Sequence, residues 1–126
     1  MISTLSLVAL GGAIGASLRF IFGAVALRLA GPTEFPFAIL TVNVIGSFLM
    51  GVFVVAAAHR GLTHLSPFMM TGLLGGFTTF SAFSLETVTL MERGQIGAAA
   101  GYVALSVGLS IVGLMLGLWL ARGVFV

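Results

Sequence analysis

From Gly61 to Leu85 the chain runs 25 residues without a lysine, arginine, aspartate or glutamate. Crossing the hydrocarbon core of a bilayer takes about 20 apolar residues in a helix. Three more stretches qualify: 18 residues precede Arg19, 25 lie between Glu34 and Arg60, and 28 lie between Arg93 and Arg122. At membrane depth every backbone polar group must be satisfied internally, as a continuous helix does. The expected fold is therefore an all-α membrane protein, a single transmembrane domain with spans at about 5–29, 36–58, 66–91 and 95–121. Charged residues make up only 6% of the chain, against about 25% in a soluble domain.

Several function classes fall away at once. Five arginines against three glutamates give a small positive excess, but they are scattered and form no basic patch, so no nucleic-acid partner is expected. There is no lysine, and hence no phosphate-binding Gly-x-x-x-x-Gly-Lys loop for a nucleotide. His59 and His64 flank a short loop without an acidic cluster, which suits a solvated role better than catalysis. The first segment continues past Arg19 and lacks a basic start, unlike a cleavable signal peptide. With no cysteine, neither a disulfide framework nor thiolate chemistry is available. The connections are too short to fold alone, so the function is expected in the bilayer.

Four spans put both termini and the middle loop on one side, with Arg60 and Arg122. Arg28 and Arg93 fall on the other side. Two against two leaves no positive-inside bias; a chain so balanced can insert in either orientation, and opposite-facing copies can then pair, the plainer reading being that one short sequence offers weak statistics.

Small residues recur four apart at Gly11/Gly15, Gly12/Ala16, Ser47/Gly51, Gly72/Gly76, Gly97/Gly101 and Gly113/Gly117. They predict close helix packing. Arg19, toward the far end of the first span, reads as a vestibule residue able to concentrate anions, with snorkelling to the interface as the plainer use. Asn43 can cross-link helices or offer N–H donors to an anion; on its own the packing use is favoured. Tyr102, Ser106 and Ser110 share one face of the fourth span and suggest a polar track. Most irregular is the third span, with Gly75-Gly76-Phe77-Thr78-Thr79-Phe80-Ser81-Ala82-Phe83-Ser84 at membrane depth. The glycine pair predicts a helix break there. Phe80 and Phe83 lie three apart on a face of glycine and hydroxyl groups, and their electropositive ring edges can solvate a small anion.

Three segments together resemble the small fluoride-channel family (Fluc, or CrcB). They are Gly11-Gly12-Ala13-Ile14-Gly15-Ala16-Ser17-Leu18-Arg19-Phe20, Thr41-Val42-Asn43-Val44-Ile45-Gly46-Ser47-Phe48 and the Gly75–Ser84 segment, followed by Glu86. The resemblance covers the whole chain. One departure is Ala82, where relatives often carry threonine; it removes a hydroxyl from the polar track and leaves both rings.

The resemblance implies an antiparallel, dual-topology homodimer in the cell inner membrane, holding two fluoride pores. It places the pore asparagine at Asn43, the paired rings at Phe80 and Phe83, the track at Tyr102, Ser106 and Ser110, and the vestibule arginine at Arg19. It also implies a structural sodium ion at the dimer axis, not transported, held by backbone carbonyls of Gly75 and Thr78 where the third helix is broken. The implied activity is passive fluoride export, driven by an inside-negative potential at about 2.3 kcal/mol per charge per 100 mV. The alternative is a small dual-topology, proton-coupled cation or multidrug exporter. That chemistry calls for a membrane-embedded acid, whereas the first span carries only Arg19, and Glu86 and Glu92 fall late in the third span and at the following loop.

Overall fold

A computed structural model describes every residue from Met1 to Val126. The chain is helical throughout, and four helical segments are long and apolar enough to cross a membrane. In chain order they are α1 (Ile2–Ala30), α2 (Phe37–Arg60), a composite third segment, and α5 (Ile96–Phe125). Of 102 backbone–backbone hydrogen bonds, 90 lie within helices, as an apolar surround requires. A positive-φ glycine follows three of the helices where the chain must turn sharply, Gly31 after α1 (φ 75°) among them. Gly61 takes left-handed angles after α2 (φ 67°, ψ 32°) and donates to Ala57 O, while Gly94 (φ 79°) opens the turn into α5.

The third segment has three parts. It begins as a π-helix, Pro67–Leu74, passes through one α-helical turn, α3 (Gly75–Phe77), and resumes after a gap as α4 (Phe80–Glu92). The 13 residues of α4 cover about 20 Å at 1.5 Å per residue, short of the ~30 Å hydrocarbon core. The interruption therefore falls inside the bilayer.

That interruption is not at the glycine pair, as the sequence suggested. Gly75 is helical (φ −63°, ψ −38°). The chain opens instead at Thr78 (φ −87°, ψ 158°) and Thr79 (φ −152°, ψ 120°). Glycine merely tolerates other conformations, at about 1 kcal/mol relative to alanine in a helix. What ends the helix is competition from other partners for the Thr79 backbone.

The helices pair as α1 with the first half of the third segment, and α2 with α5. Glycine explains both seams. A β-carbon on Gly11 or Gly15 would overlap the carbonyls of Phe68 or Leu73, and one on Gly72 or Gly76 would press on Val8 O or Gly12 O. On the other seam, Gly51 lies against Leu114 O and Gly117 against Phe48 O. Backbones that touch in this way gain dispersion contacts that lipid cannot supply. Gly97 and Gly101, expected to pack likewise, have no neighbour within 4 Å of an added β-carbon in this subunit. A compact cluster of Leu40, Phe83, Leu90, Ala99 and Tyr102 ties α4 to α2 and α5.

Candidate functional site

The site is built around the two-residue gap between α3 and α4. Asn43, on α2, grips it from the side. Its Nδ2 donates to Thr79 O (3.1 Å) and its Oδ1 accepts from Thr79 N (2.8 Å). One side-chain amide thus replaces both backbone bonds that a continuous helix would have given Thr79. A primary amide has two N–H donors, so one remains beyond the pairing with Thr79. Thr79 in turn caps α4, its Oγ1 accepting from Ala82 N (3.0 Å), which fills one of the unpaired donors at a helix start. Thr78 folds its hydroxyl back onto Leu74 O (2.9 Å). Gly46 allows the gap to lie close to α2, since a β-carbon there would strike the Thr78 methyl.

Beside the gap is a cavity of about 370 Å³ between α2, α4 and α5, with Asn43, Ser47, Thr78, Phe80, Phe83, Ser106 and Ser110 among its lining residues. No carboxylate and no basic side chain reaches it. The structure thus gathers Asn43, both phenylalanines and both serines of the sequence reading around one space. Ser106 is 5% exposed, and its hydroxyl has no hydrogen-bond partner within the chain. Leaving a buried hydroxyl unmade costs about 1–3 kcal/mol, so a wall of this kind is suited to something that accepts hydrogen bonds.

Tyr102 stands behind the cavity instead of on its wall. It is fully buried, its ring packing on Phe83 (centroids 5.3 Å apart) and edge-on to Phe35 (5.5 Å). Its hydroxyl is also without a partner. Phe80 and Phe83 are themselves neighbours, with centroids 5.4 Å apart and planes inclined by 52°. They differ sharply in setting: Phe83 is 8% exposed, whereas Phe80 is 77% exposed on the subunit surface.

Arg19 lies apart from the cavity. Its Nε donates to Gly76 O (3.1 Å), which places a cation on the carbonyl end of the short α3 turn, where the helix dipole favours positive charge. The gap also alters the neighbouring carbonyls. Thr79 N and Ala82 N, the donors in helical register for Gly75 O and Thr78 O, are taken by Asn43 Oδ1 and Thr79 Oγ1. Gly75 is exposed and Thr78 half-buried. No group of three or more histidine, aspartate or glutamate side chains comes together to hold a metal, so a cation here would depend on carbonyl oxygens. His59 and Arg60 end α2, and Arg60 stacks over the Phe125 ring at 5.2 Å.

Sequence reasoning passed over Thr79, Gly46 and Ser47 as site residues. Thr79 carried a legible signal, a hydroxyl residue immediately before a helical run. Ser47 shares a helix face with Asn43 at i, i+4, but was counted only as a small packing residue.

The chain is similar to known proteins over nearly its whole length. The family described as CrcB-like protein, Camphor Resistance (CrcB), matches residues 6–118. A protein of Roseobacter denitrificans named fluoride-specific ion channel FluC is 72% identical over 123 residues, covering 97% of this chain and 98% of its own. One from a Ruegeria species with the same name is 66% identical over 124 residues, covering 98% of each. Another, from a Jannaschia species, is 87% identical over 91 residues, 72% of this chain and 87% of its own.

Proposed function

Because the chain belongs to the CrcB family, we propose that it is a fluoride-selective ion channel, passing the anion down its electrochemical gradient and so lowering its concentration in the cytoplasm. The observation that carries this reading is the cavity lined by Asn43, Phe80, Phe83, Ser106 and Ser110. It is lined by hydroxyl, amide and phenyl groups and by no carboxylate, and it includes a buried Ser106 hydroxyl without a partner. A small anion gains most from close neutral donors, since its charge density is high. A larger halide gains less and fits less well. No bond is made or broken; the protein is a channel and not an enzyme.

Export of cations in exchange for protons would need an acid facing the conduit. None lines the cavity, and Glu86 belongs to a different one, at the α1–α2 connection beside Gly31, Pro36 and Phe37. The exporter reading therefore has no support.

The functional unit is an antiparallel homodimer in the cell inner membrane, assembled from copies inserted in both orientations. The balanced arginines of the two sides and the heavily exposed Phe80 ring support this reading, because a phenylalanine of the pathway belongs against protein. A structural sodium ion, not transported, would be held by Gly75 O and Thr78 O. The residues fit it, since both carbonyls have lost their in-register donors to Asn43 and Thr79, and discontinuous membrane helices hold cations through such oxygens. Bound there, it would supply positive charge close to the pathway. The primary test is anion efflux from proteoliposomes of purified protein. Fluoride is expected to leave rapidly and chloride to be retained; equal rates for the two anions would defeat the assignment.

A further inference from the structure

Hydroxyl groups in membrane helices commonly fold back onto the carbonyl four residues earlier, which removes them from other use. In this chain that habit separates the hydroxyls into two sets. Thr41 bonds Phe37 O, Ser84 bonds Phe80 O, Thr87 bonds Phe83 O and Thr89 bonds Leu85 O. Ser81 pairs with Thr79. Across α2, α4 and α5 this leaves three serines with no hydrogen bond inside the subunit, Ser47, Ser106 and Ser110, and all three line the same cavity. Ser106 and Ser110 were expected there. Ser47 was not.

Ser47 lies one turn beyond Asn43 on α2, toward the helix end that closes on α5 through Gly51 and Leu114 O. It is half-buried and lines the same cavity as Ser110. Packing gives no reason for a hydroxyl here. Gly51, on the same face, meets the α5 backbone directly and has no side chain, so the seam itself calls only for small size.

We propose that Ser47 is a specificity-determining residue of the ion pathway, its hydroxyl donating to fluoride one turn beyond Asn43. The inference rests on the channel reading above. It gives the cavity donors on two walls, Asn43 and Ser47 one turn apart on α2, and Ser106 and Ser110 one turn apart on α5. A permeant ion passing between such walls meets donors from both helices, which replace part of its hydration.

The test is fluoride and chloride efflux from proteoliposomes carrying the parent, Ser47→Ala, Ser47→Thr and Thr89→Ala, with each variant's assembly verified by size-exclusion chromatography. Alanine keeps the small size that packing needs and removes only the donor. Ser47→Ala is expected to slow fluoride efflux about tenfold, the scale of one hydrogen bond to an ion. Ser47→Thr, which restores the hydroxyl, is expected to recover most of the rate, and Thr89→Ala, whose hydroxyl is back-bonded and exposed, to match the parent. Should Ser47→Ala fail to assemble, Ser47→Cys, of similar volume with a weak donor, is read by the same criterion. Efflux from Ser47→Ala indistinguishable from the parent overturns the role of Ser47 while leaving the channel reading intact. Equal impairment of Ser47→Ala and Ser47→Thr also overturns it, by showing a demand for shape and not for a donor. A parent that releases no fluoride overturns the channel reading, and the role of Ser47 with it.

Discussion

Both ends of the Asn43 amide are engaged by one residue, and the pair of hydrogen bonds to the Thr79 backbone fixes the amide's orientation. Thr79 N can only donate and Thr79 O can only accept, so the Asn43 oxygen and nitrogen cannot exchange places. The remaining N–H then has a defined direction, which a flexible amide would lack. The two phenylalanines make the complementary case. Phe83 is wedged against Tyr102, whereas Phe80 touches Phe83 on one side and is otherwise largely exposed on the subunit surface. Replacing Phe83 by isoleucine keeps apolar bulk while removing the electropositive ring edge. Fluoride efflux from Phe83→Ile is expected to fall by at least about tenfold, equivalent to about 1.4 kcal/mol of lost stabilisation, with chloride still excluded. Phe80→Ile is expected to behave alike. Parental rates from both variants in the same vesicle assay would reduce the rings to packing.

At the scale of the element, the third span is broken by substitution of partners and not by loss of them. The Thr79 backbone exchanges helical bonds for an amide on another helix, and Ala82 N exchanges a carbonyl for the Thr79 hydroxyl. The adjacent threonines therefore have opposite roles: Thr79 Oγ1 caps α4, while Thr78 Oγ1 is back-bonded to Leu74 O. Thr79→Val removes the cap without changing shape and is expected to destabilise the protein by about 1 kcal/mol. Thr78→Val is expected to be nearly neutral, because its carbonyl partner already has other uses in the helix. Thermal unfolding of the two variants in the same detergent checks the contrast; equal losses would mean that the cap contributes nothing.

At the scale of the whole molecule, the subunit leaves Gly75 exposed, with only Met70 O near the position of an added β-carbon (3.3 Å). A leucine there would meet little within the subunit. If Gly75 O and Thr78 O hold sodium between two antiparallel copies, Gly75→Leu crowds that axis. Dimer and efflux are then expected to be lost together, although the isolated subunit still folds. The parent is also expected to lose fluoride efflux when sodium is exhaustively replaced by a bulky organic cation. Full efflux from Gly75→Leu in sodium-free solution would dispose of the shared ion. An intact Gly75→Leu monomer with no efflux is the result the proposal requires.

The amino-acid sequence by itself determined the number of spans and their helical nature, because a run such as Gly61–Leu85 has no other way to satisfy its backbone in an apolar medium. It also located the irregularity in the third span, and periodicity placed Ser106 and Ser110 on one face, and Phe80 and Phe83 on another. Where the helix opens was decided by the tertiary structure. Gly75 remains helical, and Thr78–Thr79 opens because Asn43 arrives from α2, a neighbour that no local propensity encodes. The same holds for the hydroxyls. Ser47 and Thr41 look alike in sequence, yet one lines the cavity and the other is closed onto Phe37 O. Among the glycines, Gly51 and Gly117 are pressed against backbone while Gly97 and Gly101 face nothing in the subunit. Helical periodicity assigns a residue to a face; which helix meets that face is set by the packing of the whole bundle.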